Sequence, residues 1–203
     1  MQFGVGGRVR IAVFASGEGS NLRSIYDQIE RGTLRNAELR LVVSNNSRSG
    51  ALEFAREKGI EWKHISTVTE GDEAGVAGKI LEVLSAAGID LIVLAGYMKH
   101  LPQSVVEKYR DHILNIHPAL LPKFGGKEMF GIRVHEAVLA SGESVSGATV
   151  HRVTGNYDEG KIVLQRTCPV LPSDTPQDLQ KRVLAVEHAL LPEAIDLLIH
   201  SQG

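Results

Sequence analysis

The run Ile89-Asp90-Leu91-Ile92-Val93-Leu94-Ala95 constrains the fold more than any other stretch of the chain. It is strand-length and apolar without alternation, the pattern of a strand covered on both faces, as in a parallel sheet. Parallel strands need crossover connections, usually helices, and the first half of the chain supplies the parts in that order. Val9 to Ala15 reads as a strand and Asn21 to Arg31 as a helix, with Leu22, Ile25, Tyr26 and Ile29 at helical spacing. Leu39 to Val43 is the next strand, Ala51 to Lys58 a short helix closed by Gly59, Trp62 to Ile65 an edge strand, and Glu73 to Ala87 a helix stopped by Gly88. A short helix around Ser104 to Tyr109 and a strand from His112 to Ile116 follow the central run.

The pattern then changes. Thr149 to Val153 and Ile162 to Val170 are β-rich runs joined by Gly155-Asn156-Tyr157-Asp158-Glu159-Gly160, which predicts an antiparallel hairpin with a loop long enough to carry function. Thr175 to Ile199 reads as a closing helix with Leu179, Val183, Val186, Leu190 and Ile195 inward, and Pro192 as a kink. The expectation is an α/β fold, doubly wound around a mostly parallel sheet, with an antiparallel C-terminal hairpin and a closing helix. Without internal repeats or linkers, residues 1–203 read as a single domain.

Composition narrows the function. With 22 Lys+Arg against 24 Asp+Glu and 5% aromatic residues, the chain offers neither a basic surface nor stacking platforms for nucleic acid. Nothing approaches the roughly 18 consecutive apolar residues of a membrane span. Residues Met1 to Arg8 hold no signal-peptide core, so the expected compartment is the cytoplasm and no membrane partner is expected. Cys168 is the single cysteine, which leaves no intramolecular disulfide and reads as buried and inert. His64, His100, His112, His135, His188 and His200 show no metal-ligand spacing, so no metal is expected.

Two constellations carry chemistry. Gly17-Glu18-Gly19-Ser20-Asn21 joins the first strand to the first helix, where free backbone N–H groups and the positive end of the helix dipole suit a phosphate. The alternative is a tight turn and nothing more. A dinucleotide is not expected, because Leu22 stands near the third glycine of that fingerprint and the second strand ends in Ser44-Asn45 rather than in an acid. In Leu114-Asn115-Ile116-His117-Pro118, the two polar residues share one side of a strand end, where open α/β sheets bind ligands. An amide beside an imidazole suits acyl transfer, the amide stabilising an oxyanion and the ring moving a proton. Asp158 completes the set if the hairpin loop reaches His117, favouring the protonated ring; otherwise it serves the turn. His151 precedes the same loop and can line the site.

Ala15-Ser16-Gly17-Glu18-Gly19-Ser20-Asn21-Leu22, Leu94-Ala95-Gly96-Tyr97-Met98, Leu114-Asn115-Ile116-His117-Pro118 and His151-Arg152-Val153-Thr154 through Asp158-Glu159-Gly160 occur in this order. From Val9 to about Leu198 the chain resembles the folate-dependent phosphoribosylglycinamide formyltransferases. The resemblance implies formyl transfer from 10-formyltetrahydrofolate, as cosubstrate, to the amine of glycinamide ribonucleotide in purine synthesis. It implies a mononucleotide-binding half over residues 9–110 and a folate and catalytic half over 111–198. Asn115, His117 and Asp158 match the catalytic trio, and Gly19, Ser20, Asn21, Pro118 and Glu187 match ribonucleotide contacts. Met98, Lys99, His100, Leu101 and Asn115 match the folate wall, with Thr154, Gly155, Asn156, Tyr157 and Asp158 opposite. Small-molecule substrates are implied, and a homodimer is left open. Ala119 stands where many relatives have serine, Phe124 to Val134 makes a long glycine-rich loop, and Thr67 to Gly75 lacks an arginine that some members place near folate. The competing readings are a formyltetrahydrofolate hydrolase, a methionyl-tRNA formyltransferase and a non-catalytic nucleotide-binding module. The hydrolase reading needs a preceding regulatory domain, the tRNA reading a further C-terminal domain, and the binding module leaves Asn115 and His117 unexplained.

Overall fold

The computed structural model describes residues 7–201, so the reading of residues 1–6 as free of a signal peptide falls outside the described residues. In chain order the elements are β1 (Val9–Phe14), α1 (Ser20–Glu30), β2 (Ala37–Ser44), α2 (Gly50–Glu57), β3 (Glu61–His64), α3 (Thr67–Glu70) and α4 (Glu73–Ala86). They continue with β4 (Leu91–Leu94), α5 (Gln103–Lys108), β5 (Ile113–His117), α6 (Ile132–Ala140), β6 (Val145–Arg152), β7 (Ile162–Pro169) and α7 (Pro176–His200). The seven strands form one sheet in the order β3-β2-β1-β4-β5-β6-β7. Pairing is parallel from β3 through β5 and antiparallel for β6–β7, the hairpin expected from the sequence, and also for β5–β6.

Strand geometry sends alternate side chains to opposite faces, and two apolar layers result. Ile11 and Val13 of β1 join the layer made with α1, α2, α6 and α7, while Ala12 and Phe14 join the layer made with α4 and α5. The central run is buried throughout Leu91 to Ala95. Because the chain winds outward from β1 toward β3 and then returns to β4 on the other side, the sheet has a switch point between β1 and β4. Loops leaving those two strand ends diverge and open a crevice.

Three elements differ from the sequence reading. The loop expected over Phe124 to Val134 ends early, because Ile132 onward is helical; Val134 and Val138, four apart, bury one face of α6. Strand β6 starts at Val145 rather than Thr149, its first residues disguised by Ser146 and Gly147. A Cβ on Gly147 would collide with the Arg166 carbonyl of β7, so close pairing requires a residue that carries no strand signal. Helix α3 is a single turn held by a capping box between Ser66 and Thr69. Helix α7 runs as one element through Pro192, which is buried within it. Among the described residues no helix is long and apolar enough to cross a membrane.

The hairpin loop returns to β7 through buried Gly160, where an added Cβ would strike the Arg152 carbonyl. Gly160→Ala is expected to lower stability by about 1–3 kcal/mol, as overpacking does; a urea midpoint unchanged from the parent would show that the loop entry does not depend on this contact.

Candidate active site

The C-terminal ends of β1, β4 and β5 open onto a cavity of about 560 Å³. At the first of these ends, Gly19 takes φ 74°, in the left-handed region that favours glycine. Its missing side chain also leaves room for Ala51 of α2. No side chain caps α1, in contrast to Ser49 on α2 and Thr175 on α7, so the first-turn N–H groups are left for a ligand. Ser16 ties the loops together: its hydroxyl donates to Asn45 Oδ1 at 2.5 Å and accepts from the Met98 N–H at 2.7 Å.

The end of β5 carries the polar pair. The antiparallel ladder sets Asn115 across from His151 and His117 across from Thr149. Thr149 donates its hydroxyl to the Ala119 carbonyl at 2.6 Å and accepts the Leu121 N–H at 3.1 Å, which fixes the chain as it leaves the strand. Ala119 is itself fully buried. His117 Nε2 lies 2.7 Å from the Phe124 carbonyl. A carbonyl only accepts, so Nε2 carries the proton, and the neutral ring turns its Nδ1 lone pair toward Asp158 Oδ2, 3.7 Å away. The hairpin loop therefore does reach His117. Asp158 sits at φ 56° and is held by the Gly126 N–H, which donates to Oδ2 at 2.9 Å. Its other oxygen lies 3.4 Å from His151 Nε2.

Burial pushes the Asp158 carboxyl up, but a hydrogen bond from His151 in its protonated form, the Gly126 N–H and the protonated form of His117 outweigh it and hold the group below its ordinary range. His117 goes the other way from expectation. Burial lowers its pKa by more than Asp158 and the Phe124 carbonyl raise it, so the standing imidazolium expected from the sequence is replaced by a ring that favours neutrality. Only 5% of the His117 side chain is exposed, and desolvation of a cation at that depth exceeds the attraction of a carboxylate not in direct hydrogen-bond contact.

Across the cavity, Asn21 Nδ2 donates to Glu187 Oε2 at 2.6 Å, joining α1 to α7. Burial pushes the Glu187 carboxyl up to about 7, with the Asn21 hydrogen bond opposing it. Asn21 Oδ1 is buried without a partner.

Every site residue expected from the sequence lines this cavity except Gly155, which lies beside Gln103. Met98, Lys99, His100 and Leu101 form one wall, with Thr154, Asn156, Tyr157 and Asp158 opposite. The His100 and Tyr157 rings meet across the mouth at 4.7 Å. The segment from Thr67 to Gly75 is not part of the wall. Sequence reasoning missed His135, which lines the cavity from α6 with Nδ1 unpartnered; burial pushes its pKa down to about 4, helped by His117. It also missed the backbone of Phe124 and Gly126, whose contribution has no side-chain signature beyond the glycine-rich loop itself.

Glu187 gives a signed expectation. A carboxyl whose folded pKa is raised favours the fold when protonated, so its contribution is present below the unfolded value near 4.5 and is lost as pH rises through about 7. Glu187→Gln is therefore expected to gain thermal stability over the parent between pH 5 and pH 8. Melting curves that stay parallel across that range would show that the buried carboxyl does not titrate there.

The formyl transferase family matches residues 9–195. The chain is 42% identical over 189 residues to a chloroplastic phosphoribosylglycinamide formyltransferase of Arabidopsis thaliana, covering 93% of this chain and 64% of that relative. It thus spans a little under two thirds of that plant protein's length. The crystal structure of glycinamide ribonucleotide transformylase 1 from Symbiobacterium toebii superposes with a TM-score of 0.90 at 38% identity, over 97% of this chain and 90% of that one. A formyltetrahydrofolate deformylase from Pseudomonas syringae shares the fold at 22% identity, with a TM-score of 0.86 over 97% of this chain and 63% of that one.

Proposed function

The chain belongs to the formyl transferase family, and from that premise we propose that it transfers the formyl group of 10-formyltetrahydrofolate to the amine of glycinamide ribonucleotide. One observation carries the reading: a single cavity joins an uncapped helix start at Gly19, suited to the phosphate of the acceptor, to Asn115, His117 and Asp158, suited to acyl transfer. The wall from Met98 to Leu101, facing Tyr157, is the half-apolar surface that a flat pterin needs. The cosubstrate supplies the formyl carbon.

The chain's own groups supply the rest. Gly19, Ser20 and Asn21 hold the phosphate, and Glu187 on α7 accepts from ribose hydroxyls. Pro118 closes the path between the two substrates. An N–H of Asn115 opposes the negative charge that gathers on the formyl oxygen as the amine attacks. His117 Nδ1 and Asp158 Oδ2 are both acceptors 3.7 Å apart, so the gap between them takes an N–H or O–H donor. The amine, directly or through a water, delivers its proton there; the imidazolium then formed is stabilised by the carboxylate beside it. As the tetrahedral intermediate collapses, the bond from the formyl carbon to the folate nitrogen breaks and that nitrogen takes up the proton held at the pair, releasing the formylated acceptor and tetrahydrofolate with no covalent bond to the enzyme. A cytoplasmic location and small-molecule partners belong to the same proposal.

His117→Ala and Asp158→Ala are each expected to lower kcat by at least about 10²-fold with the fold retained; near-normal turnover in either rejects the proton pair. Asn21→Ala is expected to raise KM for the ribonucleotide more than for the folate, and the reverse ranking would reassign the Gly19 loop. The reaction itself is tested by following folate absorbance on mixing 10-formyltetrahydrofolate with enzyme. Turnover should require glycinamide ribonucleotide, whereas equal turnover without the acceptor identifies a hydrolase.

A further inference from the structure

His151 stands outside the mechanism above, yet the β5–β6 register sets it directly across the ladder from Asn115. Its side chain is 2% exposed, so its two ring nitrogens depend on the protein for partners. Nδ1 lies 2.9 Å from the Arg152 carbonyl, which can only accept, so Nδ1 carries a proton in either charge state of the ring. With the ring neutral, Nε2 is therefore a lone pair. The group that meets it, 3.0 Å away, is Asn115 Nδ2.

That contact decides which way the Asn115 amide points. The two ends of an amide are nearly identical in shape, so packing alone selects weakly between them. An acceptor at His151 Nε2 admits only the nitrogen end: turned over, Asn115 Oδ1 would face a lone pair, with two buried acceptors in contact. One amide N–H is thus fixed on His151, and the second is held in a fixed direction from the same nitrogen. A donor already aimed before reaction is what stabilises charge without reorganisation.

We propose that His151 is a positioning residue that sets the Asn115 amide for oxyanion stabilisation, through an acceptor whose tautomer is fixed in turn by the Arg152 carbonyl. The inference rests on the formyl-transfer reading and adds a residue to it. A protonated ring would undo the arrangement, because its Nε2–H would turn to Asp158 Oδ1, 3.4 Å away, and leave Asn115 without its partner. The groups facing the ring are Asn115, Asp158 and the neighbouring His117.

Two side chains of similar length separate the acceptor from the packing. His151→Met removes the acceptor, and kcat is expected to fall by about 10²-fold, the loss seen when an oxyanion donor is removed, with KM for the ribonucleotide unchanged. His151→Gln can present an amide oxygen to Asn115 and is expected to recover most of that loss. The deciding measurement is a double-mutant cycle with Asn115→Ala: once the amide is gone, His151→Met should cost no more than about twofold. A full second loss in the Asn115→Ala background, equal kcat for the Met and Gln variants, or a Met variant with parental kcat would each overturn the proposal. His151→Leu repeats the non-acceptor arm if the Met protein does not fold. Parental turnover with both substrates is the control: its absence removes the proposed function, whereas its presence leaves the cycle to decide on His151 alone.

Discussion

The register between β5 and β6 is the constraint on which the site depends. Side chains alternate along a strand, so a one-residue slip of β5 would turn Asn115 and His117 away from the cavity and separate Asn115 from His151. The pairing is fixed by burial on both sides of the functional residues, with Leu114 and Ile116 on β5 and Ala148 and Val150 on β6 inside the apolar layers. Thr149 then binds the chain beyond β5 to β6 itself, through Ala119 and Leu121. From this base the hairpin loop projects Asp158 over His117. The glycine-rich loop adds two backbone groups, the Phe124 carbonyl on the ring and the Gly126 N–H on the carboxylate. The geometry of the candidate site is thus set by strand pairing and completed by main-chain atoms of a loop.

The architecture was legible because parallel-sheet strands announce themselves. Ile89 to Ala95 is apolar on both faces, and each flanking strand ends at a glycine or polar turn, so the sheet and its crossovers follow from hydrophobic pattern alone. What the pattern hid has a common cause. The start of β6 and the loop entry at Gly160 are positions where backbone approaches backbone, and such positions select for the absence of a side chain. Helix α6 was hidden because its burial is set by partners distant in sequence, on α7 and the sheet.

The site was legible in its side chains and illegible in its electrostatics. Glycines before a helix, and an amide two residues before a histidine, can be recognised by spacing. That His117 favours the neutral form could not be, since it follows from how deeply the ring is buried and from a 3.7 Å gap to Asp158. Nor could Glu187 be placed against Asn21, a contact spanning 166 positions.

Two of the carboxylates lining the cavity, Asp158 and Glu187, show how depth and donors divide the work. Both are pushed up by burial, yet Glu187, with the Asn21 amide opposing burial, titrates at about 7, whereas Asp158, with an N–H and two imidazoles around it, stays ionised. An ionised Asp158 is able to take up a proton, as the proposed formyl transfer asks of it, whereas a neutral carboxylic acid there is not. A Glu187 near its midpoint plays a different role. Held by the Asn21 amide rather than by a cation, it can accept or donate without carrying a full buried charge. The two groups therefore differ in kind: Asp158 keeps a negative charge beside the His117 ring, whereas Glu187 holds its charge less firmly against Asn21.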